Sequence, residues 1–327
     1  MHDFVGVENI LSDKRLRELS KRRNGPAAMC FFSHFAAITI NSYLMVLSCS
    51  SWWFIPLFML QGMLLNFLYA PEHECDHFTA FRSRWLNVWG ARICGFCIVL
   101  PNDYHRFSHY AHHRHTQDWK RDPELLARKP ICNVRYYLWL LSGLSTTVGR
   151  VRILFVHATG NVDEWYANDA QRRTLVTSAR WHLFLYFLVL ISATIIWGLW
   201  LFVLWIAPLV LMRWTYYMQG LGEHAGLTHR DNTLLNTRTF TTNIFMRLLN
   251  WNMTYHAAHH TYPSIPFYRL PALQREIESK LPYQLPSSPY LSFHYGMLKR
   301  LWSGWTETQI CEKHDRELIE RGIFPAQ

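Results

Sequence analysis

Three short stretches of this 327-residue sequence carry histidines at spacings that suit metal ligation. In His256-Ala257-Ala258-His259-His260 the imidazoles stand at i, i+3 and i+4. Residues so spaced are neighbours on a helix surface. His109-Tyr110-Ala111-His112-His113 repeats that spacing, and His73-Glu74-Cys75-Asp76-His77 places a pair at i and i+4. With His224, in Gly222-Glu223-His224-Ala225-Gly226, the set is nine of the chain's 18 histidines. Nine nitrogen donors exceed the needs of one ion, because a zinc site takes four ligands, or three and a water. Two metals at four or five ligands each would use them all. Imidazole suits iron, zinc, copper and nickel alike. Two zincs would point to hydrolysis, and two irons to oxidation with dioxygen.

The elements that position these residues follow from the charge pattern. No Asp, Glu, Lys or Arg occurs from Pro26 to Pro71, nor from Trp181 to Met212. A membrane-crossing helix needs roughly 20 apolar residues to span a ~30 Å hydrocarbon core. Two such tracts exclude an ordinary soluble α-protein and predict an all-α integral membrane protein. The first tract holds two crossings, at about residues 27–47 and 52–69, with Trp52 and Trp53 at the interface. The second turns near Trp197-Gly198. Parity requires two crossings there as well, because one would leave His256, His259 and His260 on the opposite side from His109, His112 and His113. The expectation is four transmembrane helices in two hairpins, under a cytoplasmic helical cap that carries the histidines.

The whole chain reads as one domain with five stretches. Residues 1–25 are a basic surface segment and 27–70 the first hairpin. Residues 71–180 are cytoplasmic with the first two histidine sets, 181–219 the second hairpin, and 220–327 cytoplasmic with the third. Asn87–Leu100 and Tyr136–Leu144 are apolar but short, and read as surface-lying helices. The net charge of +10 comes from residues outside the two tracts. Positive segments stay cytoplasmic, which puts both termini inside, at the inner membrane of a bacterium. Membrane orientation and anionic lipid account for the charge without a nucleic-acid partner. The seven cysteines form no disulfide framework, and Cys94-Gly95-Phe96-Cys97, though spaced like a redox pair, lies in an apolar run.

Two other readings fit fewer residues. His73-Glu74-Cys75-Asp76-His77 spells the H-E-x-x-H of zinc hydrolases, with the Glu as general base, but it leaves the other sets idle. A metal transporter would place ionisable groups within its crossings, where this chain has none.

Taken together, the sets resemble the three histidine boxes of the membrane fatty acid desaturase family. His73/His77 match the first box, His109/His112/His113 the second, His256/His259/His260 the third, and His224 the additional upstream ligand. Flanking words match too: Thr116-Gln117-Asp118, Asp122-Pro123-Glu124-Leu125, Asn236-Thr237-Arg238-Thr239, and Tyr262-Pro263-Ser264-Ile265-Pro266. Ala258 departs from the acidic or bulky residue many members carry there. The resemblance implies two non-haem irons held by these nine residues, dioxygen as co-substrate, and attack on an unactivated C–H bond of a fatty acyl or lipid-like substrate. Desaturation is the expected outcome; hydroxylation and oxidative decarboxylation to a terminal alkene are alternatives on the same scaffold. The sequence has no haem-attachment or ferredoxin-type cysteine motif, so a separate carrier is expected: a ferredoxin, a rubredoxin or a small haem protein. Glu72, Glu74, Asp118, Glu223 and Asn252 are candidates to orient the ligands, and Arg238 to pair with a carboxylate nearby.

Overall fold

The computed structural model describes residues 10–196 and 198–324. The chain is helical throughout, apart from one two-residue parallel pairing of Thr239–Phe240 with Ser287–Ser288. After α1 (Asp13–Leu19), α2 (Asn24–Leu47) and α3 (Phe54–Asn66) form the first apolar pair, and α4 (Tyr69–Asp76) carries His73. Next come α5 (Arg84–Cys97), α6 (Asn102–His115), α7 (Pro123–Leu126), α8 (Val134–Leu141), α9 (Leu144–Ala158) and the long α10 (Asp169–Ile196). A π-helical turn (Phe202–Ile206), α11 (Ala207–Leu211) and α12 (Trp214–His224) follow. The remainder is α13 (Ile244–Leu249), α14 (His256–Thr261), α15 (Leu270–Lys280), α16 (Tyr290–Trp302) and α17 (Glu307–Glu320).

Among the described residues, three helical runs are long and apolar enough to cross a membrane: Asn24–Leu47, Phe54–Asp76 and Asp169–Ala193. The helical stretch after Gly198 is broken by the π turn and again at Met212–Arg213, so no single piece reaches crossing length. The expected turn is there: Gly198 adopts φ +53° and its N–H donates to the Ala193 carbonyl at 2.7 Å. Trp197 lies outside the described residues. The surface-lying helix expected at 87–100 corresponds to α5, and that at 136–144 to α8.

The chain forms two compact units, one of residues 23–108 and 142–216, the other of 1–22, 109–141 and 217–327. In the first unit, α2, α3 and α11 pack together. Its core includes Leu65, Leu68, Cys94, Ile98, Leu100 and Leu209. Buried polar side chains stitch the apolar helices. Asn41 donates to Gln61 Oε1 at 2.9 Å, Gln61 donates to the Leu204 carbonyl at 3.0 Å, and Asn66 donates to the Leu209 carbonyl at 3.0 Å. Arg213 donates to Asn66 Oδ1 at 3.1 Å. Such bonds hold helices together where no hydrophobic drive separates protein from lipid. In the second unit Tyr137, Leu221, Met297, Leu301 and Ile310 form the core. A buried ion pair there joins the Arg128 guanidinium to Glu307 through both carboxylate oxygens, at 2.6 and 2.8 Å.

Candidate metal centre

Each histidine triple is divided between two neighbourhoods. From α6, His112 joins His224 of α12 and His260 of α14: each offers one ligand atom, all within 4.8 Å of one another. His109 and His113 instead group with His259 at the same spacing. The split follows from helix geometry, since i+3 and i+4 lie on either side of i, and two ions can each take one flank. His256 joins His260, with the two Nε2 atoms 3.1 Å apart, and its ring is 5.2 Å from that of His224. In the other compact unit, the rings of His73, on α4, and His77, which caps that helix, lie 4.8 Å apart.

The hydrogen bonds around His112, His224 and His260 show which nitrogen each ring presents. His112 Nδ1 donates to Asp122 Oδ1 at 2.9 Å, and His224 Nδ1 donates to the Asn236 carbonyl at 3.2 Å. The Thr116 hydroxyl gives its proton to the His112 carbonyl at 2.8 Å, so it accepts from His260 Nδ1, 3.3 Å away. All three rings therefore hold a proton on Nδ1 and turn Nε2 inward. The Nε2 atoms of His112 and His224 are buried without a hydrogen-bond partner. One nitrogen anchored by a hydrogen bond and the other bare is how metal-ligating imidazoles are arranged, and buried polar atoms are otherwise satisfied. These residues fit a metal ion.

Electrostatics separate the rings. Burial works against a charged His112, but Asp122 and Glu124 outweigh it and lift its pKa to about 9. Burial, helped by His112, drives His224 down to about 4. Burial and neighbouring imidazoles hold His256 and His260 well below the usual range. Burial pushes the Glu223 carboxyl up to about 8; its Oε1 accepts from Gln219 at 2.7 Å and stands 3.4 Å from His256 Nδ1.

Several expected orienting residues do something else. Asp118 accepts from the Lys120 N–H at 2.9 Å and the Arg121 guanidinium at 2.6 Å, closing a surface turn. Asn252 donates to the Phe267 carbonyl at 3.3 Å. Glu74 is an exception: one oxygen accepts from the Thr79 hydroxyl at 2.9 Å, while the other faces His73 Nδ1 at 4.0 Å. Arg238 pairs with backbone rather than a carboxylate. Its guanidinium reaches the Gly222 and Ala225 carbonyls and lies over the Phe293 ring, and its N–H donates to the Glu223 carbonyl at 2.7 Å. It thereby holds the end of α12, where His224 sits. Gln117 does likewise, donating to the His224 carbonyl. A carboxylate that does orient one of these histidines is Asp122, through His112 Nδ1. Its one cue in the sequence was its place before Pro123, where it also caps α7 by accepting from the Glu124 N–H.

His105, outside the nine histidines, lies with Glu72 and Asp76 in a third buried group whose ligand atoms are within 4.8 Å of one another. Its Nδ1 stands 2.9 Å from both carboxylates.

Comparison with known proteins completes the assignment. The fatty acid desaturase family model matches residues 50–291, so the chain belongs to that family. It is an oxidoreductase of the fatty acid desaturase type; family membership favours neither the hydrolase nor the transporter. Among its relatives is an acyl-lipid (9+3)-(E)-desaturase of Dimorphotheca sinuata, 24% identical over 80% of this chain and 74% of that protein. A dihydrorhizobitoxine desaturase of Bradyrhizobium elkanii is 25% identical over 69% of this chain and 68% of its own length. A ferredoxin-dependent sn-1 acyl-lipid omega-3 desaturase of Synechocystis is 29% identical over 30% of each chain.

Proposed function

We propose that this chain is a membrane-embedded, oxygen-dependent desaturase of a fatty acyl or lipid-like substrate. On this reading two non-haem irons are held by His73, His77, His109, His112, His113, His224, His256, His259 and His260. The observation that carries it is the inward Nε2 pair of His112 and His224, neither with a hydrogen-bond partner and each anchored through Nδ1. Iron is preferred to zinc because the family's reaction is oxidative and zinc has no redox chemistry. Bound iron would supply the two-electron activation of dioxygen that removes hydrogen from an unactivated carbon.

The chain's own residues do the rest. Asp122, the Asn236 carbonyl and Thr116 keep three ligand protons on Nδ1 and the ligand nitrogens turned inward. Burial of His112, His224, His256, His259 and His260 excludes bulk water from the centre, which protects reactive species from side reactions. Burial and the mutual repulsion that hold His256 and His260 neutral keep them ready to bind without losing a proton.

Electrons come from a separate carrier. The ferredoxin dependence in the Synechocystis relative's name supports a ferredoxin, ahead of a rubredoxin or small haem protein. The helical pieces within 199–219, taken together, serve as the fourth crossing in a two-hairpin, inner-membrane topology with cytoplasmic termini, which the uncharged turns support. The test is mass spectrometry of lipids from cells expressing the protein, beside a His256→Ala control, with metal analysis of both purified proteins. Two irons per wild-type chain and a product two hydrogens lighter are expected. A single zinc, or a product unchanged by His256→Ala, would refute the reading.

A further inference from the structure

In the unit of residues 23–108 and 142–216, a groove of about 930 Å³ lies between α5 and α10. Its walls are mostly apolar, with Trp89, Ile93, Phe96, Trp181 and Leu185 along its length. From Ala170 to Leu185 it follows α10 for about 22 Å at 1.5 Å per residue. Trp89, Ile93, Trp181 and Leu185 are themselves exposed, so the groove opens sideways on a helix apolar enough to span a membrane. None of the nine histidines lines it.

Two features mark it as a built site rather than a gap. Asn102, which lines it, is 1% exposed, and neither its Nδ2 nor its Oδ1 has a hydrogen-bond partner. A buried amide with both functions unmet, beside an apolar groove, calls for a ligand oxygen. Arg92 and Arg173 also line the groove and are exposed, and among the described residues neither makes an ion pair. The one carboxylate lining it, Asp103, is already paired with Arg106 at 2.5 Å. The groove thus combines an apolar trough, an excess of positive charge and one unmet amide.

We propose that it seats one acyl chain of an anionic bilayer phospholipid, with the phosphate held by Arg92 and Arg173 and an oxygen of the lipid by Asn102. The occupant is a resident lipid rather than the substrate, because the groove opens laterally and lacks the metal-ligand residues. Basic residues at a membrane surface attract anionic lipid, and tryptophans such as Trp89 and Trp181 favour the interface.

The test uses the full-length protein, purified in mild detergent, delipidated, and incubated with phosphatidylglycerol, phosphatidylcholine of the same chains, or oleic acid. Native mass spectrometry counts what stays bound. One phosphatidylglycerol per chain is expected, retained about tenfold better than phosphatidylcholine. The Arg92→Ala/Arg173→Ala double variant should lose that preference with an unchanged melting temperature, since both side chains are at the surface. Asn102→Leu should weaken retention of both phospholipids. Equal retention of the two phospholipids by the wild type, or no loss in the double variant, would overturn the proposal. So would oleic acid displacing phosphatidylglycerol, because the groove would then be a fatty-acid site.

Discussion

Asp122 is the residue on which the local order of the centre turns. Its Oδ1 accepts from His112 Nδ1 and caps the next helix, while its Oδ2 accepts from the Gln117 N–H at 2.9 Å. Asp122→Asn should therefore lower metal affinity by about 10- to 100-fold, measured as iron retained per chain against a chelator. Asp118→Asn, four residues earlier, should leave iron retention unchanged, because Asp118 touches only a surface turn. Equal losses in the two variants would remove the distinction. A second residue-scale prediction concerns acid stability. Burial pushes the Glu164 carboxyl up, but the bond from His157 Nε2, at 2.7 Å, outweighs it and holds the group below the usual carboxylate range. A carboxyl depressed on folding contributes stability that is present above its unfolded pKa and lost as pH falls through the folded one. His157→Phe should therefore move the acid-unfolding midpoint to higher pH, and an unmoved midpoint would show the pair to be idle.

At the scale of elements, α3 and α11 approach so closely that only glycine fits at their crossing. A Cβ on Gly62 would overlap Met212 Cβ and the Pro208 carbonyl. Gly62→Ala should cost about 1–3 kcal/mol through overpacking, read as a lower melting temperature in detergent. Gly149→Ala, on α9, meets nothing within 4 Å and should raise stability by up to about 1 kcal/mol from helix propensity alone. If both variants fell equally, propensity and fit could not be the terms that separate them. The close approach at Gly62 also explains how Asn66 reaches the Leu209 carbonyl across the same pair.

At the scale of the whole molecule, the first hairpin sets the side of the membrane on which the histidine-bearing stretches lie. Two native cysteines report on it. Cys49, in the α2–α3 turn, and Cys132, before α8, are both exposed. The proposed topology puts Cys49 outside and Cys132 in the cytoplasm. A membrane-impermeant maleimide should label Cys49 in intact cells and Cys132 only after permeabilisation. Labelling of both in intact cells would overturn the arrangement.

The histidine sets and the apolar tracts were legible in the sequence because both depend on short-range pattern: ligand spacing repeats with the helix turn, and a span declares itself by lacking charge. What stayed hidden depended on distant residues meeting. Asp122 orients His112 only because the chain turns back at Gln117, where φ is +69°. Nothing in the spacing of His109, His112 and His113 said that His112 would leave the other two for His224 and His260. Arg238 looked like a carboxylate partner, yet it closes the end of a helix whose neighbour in space is remote in sequence. One-dimensional pattern determined the kind of donor and the apolar setting. Tertiary packing decided which donors come together and which group holds each ring, because a hydrogen bond or a ligand bond depends on distances that only the folded chain sets.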